Sequence, residues 1–203
     1  MLVGDCMTRK VYTLQPEQTV ADGLRLMSEH SIHRLPVVDR SGDLTGIVSD
    51  MDLRIAEAAG RLANPVSAVM TRGVVTATEY TPIEEAAALM REKAVGGLPV
   101  VRGRKIIGII TEGDIFGFLA HLLGLEEPGV RLTLALPADR QVMLDLLHHI
   151  GSLGGDIVAL GTVRRGEHRL MILKVANLSA QDAQRAVEIA GVEMTDLLAR
   201  ERG

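Results

Sequence analysis

Apolar and polar positions along the first part of the chain follow one order twice. Short β-branched runs alternate with segments of helical period, predicting strand, helix, strand, strand, helix in each copy. Val11-Tyr12-Thr13-Leu14 and Val74-Val75-Thr76-Ala77 read as the opening strands. Val20, Leu24 and Met27 then share one helical face behind Thr19. In the second copy Thr81 is the predicted N-cap and Pro82 the first helical residue. Leu35–Val38 and Thr45–Val48 are joined by Arg40-Ser41-Gly42-Asp43, a hairpin turn, with Arg102-Gly103-Arg104-Lys105 as its counterpart. A closing helix is predicted near Asp52 and again near Asp114. Neither copy can cover its apolar sheet face alone, so the two are expected to bury those faces against each other.

The pattern changes after Leu125-Glu126-Glu127-Pro128-Gly129. A strand at Arg131–Leu136 precedes a helix from about Arg140, whose Val142, Leu146, Leu147 and Ile150 would cover a sheet; Gly154-Gly155 stops it. Ile157–Val163 and Arg169–Val175 form a hairpin around Arg165-Gly166-Glu167. A helix capped by Ser179 and a strand from Val192 complete a ferredoxin-like β-α-β-β-α-β order. The fold class is therefore α/β (α+β), divided as 1–62, 63–124, a linker at 125–129, and 130–203.

The residues themselves repeat as well. Cys6-Met7-Thr8 returns as Val69-Met70-Thr71, and His33-Arg34-Leu35-Pro36-Val37-Val38 as Gly96-Gly97-Leu98-Pro99-Val100-Val101. The offset is 63 from Met7/Met70 to Pro36/Pro99 and 62 at Gly46/Gly108, so one residue is lost in a turn. Such duplication governs architecture ahead of any local propensity.

Composition narrows the function. Hydrophobic residues make up 47% of the chain but aromatics only 2%, so the cores are aliphatic. A net charge of −4 without a basic block argues against a nucleic-acid partner. No apolar run suits a membrane span and no signal peptide opens the sequence. Cys6 is the single cysteine, which fits a reducing cytoplasm.

Each copy ends on Gly, two β-branched residues and Ser/Thr-x-x-Asp: Ser49 with Asp52, and Thr111 with Asp114. Taken alone this is a helix-capping pattern. Repeated at matched positions, it also suits a ribose phosphate, with the carboxylate accepting sugar hydroxyls and the helix start facing phosphate. His33 and Arg34 offer phosphate donors. Following sequence order, they are expected in the cleft of Ser49 and Asp52. The glycines Gly96 and Gly97 would leave the cleft of Thr111 and Asp114 without cations. His148 and His149, adjacent on a helix, point to different faces, and His30/His33 lack a third ligand, so no metal is expected, and no catalytic constellation is present.

The duplicated Met-Thr start, the His-Arg-Leu-Pro-Val-Val strand and the Ser/Thr-x-x-Asp ending resemble cystathionine-β-synthase (CBS) domains, two of which form a Bateman module. The resemblance implies a non-catalytic regulatory protein with AMP, ADP, ATP or S-adenosylmethionine as effector and no required cofactor. It implies ribose contacts at Asp52 and Asp114 and phosphate contacts at Ser49, Thr111, His33 and Arg34. It places Thr13, Thr76, Pro36 and Pro99 in the nucleotide-binding set. Residues 130–203 resemble an ACT domain, and the combination resembles acetoin-utilisation CBS–ACT proteins. A homodimer is expected, with an unidentified regulated protein as a possible partner. The alternative is a dimerisation module whose clefts stay empty.

Overall fold

A computed structural model describes residues 1–135, 140–166 and 168–200; Leu136, Asp139 and Glu167 lie outside the described residues. The chain forms two units, Met1–Phe116 and Gly117–Gly203.

In the first unit, α1 (Val3–Cys6) precedes α2 (Val20–His30), the hairpin β1 (Arg34–Val38) and β2 (Leu44–Ser49), and α3 (Asp50–Ala58). The second copy repeats this as α4 (Ile83–Lys93), β3 (Gly97–Arg102), β4 (Lys105–Thr111) and α5 (Glu112–Leu122), a helix that starts in the first unit and ends in the second. The predicted hairpins are present, and both turns use a glycine at positive φ, Gly42 and Gly103. Asp39 closes the first turn by accepting hydrogen bonds from the backbones of Ser41 and Asp43.

The opening strands differ from expectation. Leu14 and Ala77 each make a single parallel bridge, to Val37 and Val100. The cause is the central proline of β1 and β3. Leu14 donates to the Pro36 carbonyl at 3.0 Å and accepts from Val38 at 2.8 Å. Lengthening the ladder toward Tyr12 would need an N–H on Pro36, which has none. Pro99 truncates the second copy in the same way, with Ala77 donating to its carbonyl. The α4 cap also moves one residue, to Pro82, because the Thr81 hydroxyl accepts from Thr78 N–H and closes a turn instead.

The copies exchange their beginnings. Thr8 bridges Ile109 of the second copy, and Val3 and Gly4 donate to the carbonyls of Thr81 and Glu79. Reciprocally, Thr71 bridges Ile47 and Pro65 bridges Thr19. Val66 and Met70 consequently pack in one core with Leu14, Val20, Met27, Leu35, Val37, Val48 and Leu53 of the first copy. Each Met-Thr phrase thus completes the fold of the other copy.

In the second unit, β5 (Gly129–Ala135), α6 (Arg140–Ser152), β6 (Asp156–Arg165), β7 (His168–Ala176), α7 (Ala180–Ile189) and β8 (Met194–Arg200) follow the predicted β-α-β-β-α-β order. The sheet is antiparallel with order β6-β7-β5-β8. Leu132, Leu134, Met171, Leu173 and Val175 meet Leu146, Ile150, Ala183, Ala186 and Val187 in its core. Ser179 caps α7, as expected.

Candidate functional site

Ser49 and Thr111 end the second hairpin strand of their copies and cap the helices that follow. Asp52 Oδ2 accepts from Ser49 N–H at 2.8 Å and from its hydroxyl at 2.6 Å. Asp114 Oδ2 accepts from Thr111 N–H and hydroxyl, both at 2.7 Å. The capping reading therefore holds in both copies. One carboxylate oxygen is consumed by it. Asp52 Oδ1 has no hydrogen-bond partner among the described residues, and Asp114 Oδ1 has only a 3.4 Å contact from the Thr8 hydroxyl. Both remain able to accept from a ligand.

Two clefts form where segments of the two copies cross. The first, about 410 Å³, brings Thr111 and Asp114 together with Thr8, Lys10, Tyr12, Ile32, His33 and Arg34. The second, about 260 Å³, joins Ser49 and Asp52 to Thr71, Gly73, Val74, Val75, Val95, Gly96 and Gly97, with Arg34 reaching it as well. The first lies within the range of small-molecule sites, roughly 300–1,000 Å³, and the second just below it. Sequence order had put His33 and Arg34 beside Asp52. The structure instead places His33 with Asp114 and lets Arg34 line both clefts. The exchange of beginnings explains this: the chain leaving Thr8 passes the start of α5 before entering its own copy.

Four matched positions now separate the clefts. Lys10, Tyr12, His33 and Arg34 line the first, and Gly73, Val75, Gly96 and Gly97 hold the equivalent places in the second. Lys10, Tyr12 and His33 add polarity to the first cleft alone while Arg34 is shared, and we call the two the polar and the neutral cleft. The Lys10 ammonium stands 5.5 Å from the Tyr12 ring centre, and the Tyr12 ring stacks on His30 at 3.7 Å. Neither Lys10 nor Arg34 makes an ion pair among the described residues, although Glu112 and Asp114 line the same cleft. Thr8, Lys10, Tyr12 and Thr71 were not singled out from the sequence. The repeated Met-Thr phrase is the signal for Thr8 and Thr71; Lys10 and Tyr12 lie just beyond it.

The remaining expected site residues lie elsewhere. Pro36 and Pro99 are buried within their strands, Thr13 lines neither cleft, and Thr76 faces a separate shallow depression with Leu44, Val101 and Arg104. Burial raises the pKa of the Cys6 thiol, and Asp5 adds to the effect, so the thiolate is disfavoured. Among the described residues no group of three or more His, Cys, Asp or Glu could hold a metal ion, and no helix is long and apolar enough to cross a membrane.

The CBS domain family pattern matches residues 3–59 and 66–121, and the chain belongs to that family as a tandem pair. A CBS domain-containing protein of Dictyostelium discoideum is 37% identical over 137 residues, 61% of this chain and 94% of that protein. An L-aspartate semialdehyde sulfurtransferase of Methanocaldococcus jannaschii is 33% identical, over 56% of this chain but only 22% of the enzyme. Solved structures are similar as well, among them three. The CBS domain pair of protein MJ0100, in complex with 5′-methylthioadenosine and S-adenosyl-L-methionine, is 30% identical with a TM-score of 0.56, covering 63% of this chain and 98% of that one. CBSX2 in complex with AMP is 31% identical with a TM-score of 0.56, covering 62% and 98%. The Vibrio cholerae protein AcuB is 34% identical with a TM-score of 0.57, covering 62% and 95%.

Proposed function

We propose that this protein is a non-catalytic regulatory protein that binds an adenosine phosphate in its polar cleft. The observation that carries this reading is the gathering of Lys10, His33 and Arg34 around the Thr111–Asp114 helix start. Asp114 accepts the ribose hydroxyls, the three basic side chains and the first turn of α5 hold the phosphates, and Tyr12 and Ile32 flank the base. The CBS pairs solved with AMP and with S-adenosylmethionine support the ligand class. The neutral cleft keeps Asp52 for ribose but has Val74, Val75 and Val95 around it, which suits an uncharged adenosyl group.

The second unit is the receiver of the signal in this proposal. Its β-α-β-β-α-β order and antiparallel sheet support an ACT-like reading. Its edge strands β6 and β8 expose Ile157, Leu160, Val163 and Leu198, which favours association into a homodimer through those edges. Ligand would shift the protein between two arrangements only by the difference in its affinity for them. Native mass spectrometry of freshly purified protein, followed by a thermal-shift panel of AMP, ADP, ATP, S-adenosylmethionine and adenosine, tests the proposal. A retained nucleotide or a stabilisation that rises with phosphate number is the expected result. No stabilisation by any of the five would overturn it and leave the reading of a dimerisation module with empty clefts.

A further inference from the structure

Among the described residues Arg34 is the one cationic residue that lines both clefts. It opens β1 opposite Ser49, and its side chain runs over the Gly96–Gly97 backbone. A Cβ at Gly97 would stand 3.6 Å from Arg34 Cδ, and one at Gly96 would stand 3.0 Å from Cζ and collide with Nη2. These glycines occupy the places that His33 and Arg34 hold in the first copy. Their bareness therefore does more than remove charge from the second copy: it opens the track along which the guanidinium reaches across. Among the described residues that guanidinium makes no hydrogen bond or ion pair within bonding distance, although Glu112 Oε2 of the polar cleft lies 3.0 Å from the same added Gly96 Cβ, so it is free to meet a ligand and already leans toward the polar side.

Building on the adenosyl reading, we infer that Arg34 is a ligand contact shared by the two clefts and that it couples their occupancy. A guanidinium stays charged at all working pH and presents its donors in one planar fork. A phosphate in the polar cleft, already met by Lys10 and His33, holds that fork on its own side. The neutral cleft then retains the Asp52 carboxylate and no cation. An anionic ligand binds there more weakly once the polar cleft is filled, and the effect is reciprocal. Adenosine carries no phosphate and escapes the coupling.

Calorimetry of the full chain with AMP tests this. Asp114→Ala, made together with Lys10→Ala and His33→Ala so that ribose and phosphate contacts are both removed, vacates the polar cleft and gives the AMP constant of the neutral cleft alone; the wild-type second step gives it with the polar cleft occupied. The wild-type second step should be weaker than the constant of that triple variant by about fivefold or more, down to no detectable second step. With Arg34→Gln added to both proteins the two constants should agree within about twofold, and adenosine should show no difference in any of them. Arg34→Lys keeps the charge and should keep part of the coupling, which separates loss of the guanidinium from loss of the fold. Equal constants with Arg34 present, or coupling undiminished in Arg34→Gln, would overturn the inference while leaving adenosyl binding intact. Absence of any AMP binding by the wild type would overturn the adenosyl reading and the coupling together.

Discussion

The side chain of Met7 lies over the bare α-carbon of Gly108: a Cβ added there would meet Met7 Sδ and stand 3.1 Å from Cγ and 3.2 Å from the Thr8 carbonyl. Met70 lies over Gly46 in the same way, 2.9 Å from its Cγ to the added carbon. Each methionine belongs to one copy by sequence and seats on the hairpin of the other. That seating carries Thr8 to Asp114 and Thr71 to Asp52, and so builds both clefts.

Gly108→Val should therefore loosen the whole first unit. Overpacking a filled site typically costs about 1–3 kcal/mol. We expect a loss of that size in urea unfolding, partly relieved by adding Met7→Ala. Unchanged stability would show that the methionine does not hold the two copies in place.

The Ser/Thr-x-x-Asp phrase has two roles that mutation can separate. Thr111→Ala removes the cap hydroxyl but leaves the Asp114 carboxylate, and should cost about 0.5–2 kcal/mol of stability while weakening AMP only slightly. Asp114→Ala removes the acceptor for ribose as well. Charge-assisted bonds of about 1.5–3 kcal/mol correspond to a loss of tenfold or more in AMP affinity. Equal effects of the two variants on AMP would assign the pair to capping alone.

Much of this was legible in the chain. The hairpins, the capped helices and the β-α-β-β-α-β order follow from periodicity and turn residues. Pro36 and Pro99 were visible too, yet their consequence was missed, because a β-branched run scores as a strand whether or not its neighbour can donate. The clefts were legible only in part. Ser49, Asp52, Thr111 and Asp114 announce themselves by their spacing. Which loop faces which carboxylate is a long-range matter, fixed by the packing of Met7 and Met70 on distant glycines. No local pattern encodes that pairing, so sequence order alone pairs His33 with Asp52 where the fold pairs it with Asp114.

Acidification should destabilise the protein in part through specific carboxylates. Hydrogen bonds from the Thr19 backbone and hydroxyl hold the Asp22 carboxyl below its ordinary range, the Ser41 hydroxyl does so for Asp39, and Arg102 for Glu79. A depressed folded-state pKa contributes stability above the unfolded value and loses it as pH falls through the folded one. Urea midpoints should thus be level near neutrality and fall below about pH 4. Asp22→Asn should make the decline shallower. Midpoints unchanged well below pH 4 would contradict this.

Charge in the polar cleft predicts a salt effect on ligand choice. Lys10→Ala should lower AMP affinity several-fold and leave adenosine nearly unchanged, since the proposal gives the ammonium the phosphate as its partner on the ligand. The AMP constant of the wild type should weaken as salt rises from about 0.01 to 0.15 M, where the screening length falls from about 30 to 8 Å. Equal salt dependence for AMP and adenosine would mean that the cations serve no phosphate.

A crystal structure of the full chain with AMP tests the central claim most directly. The account predicts ribose hydroxyls on Asp114, the phosphate among Lys10, His33 and Arg34, and the base beside Tyr12 and Ile32. AMP seated beside Asp52 with the polar cleft empty, or bound only to the second unit, would contradict it.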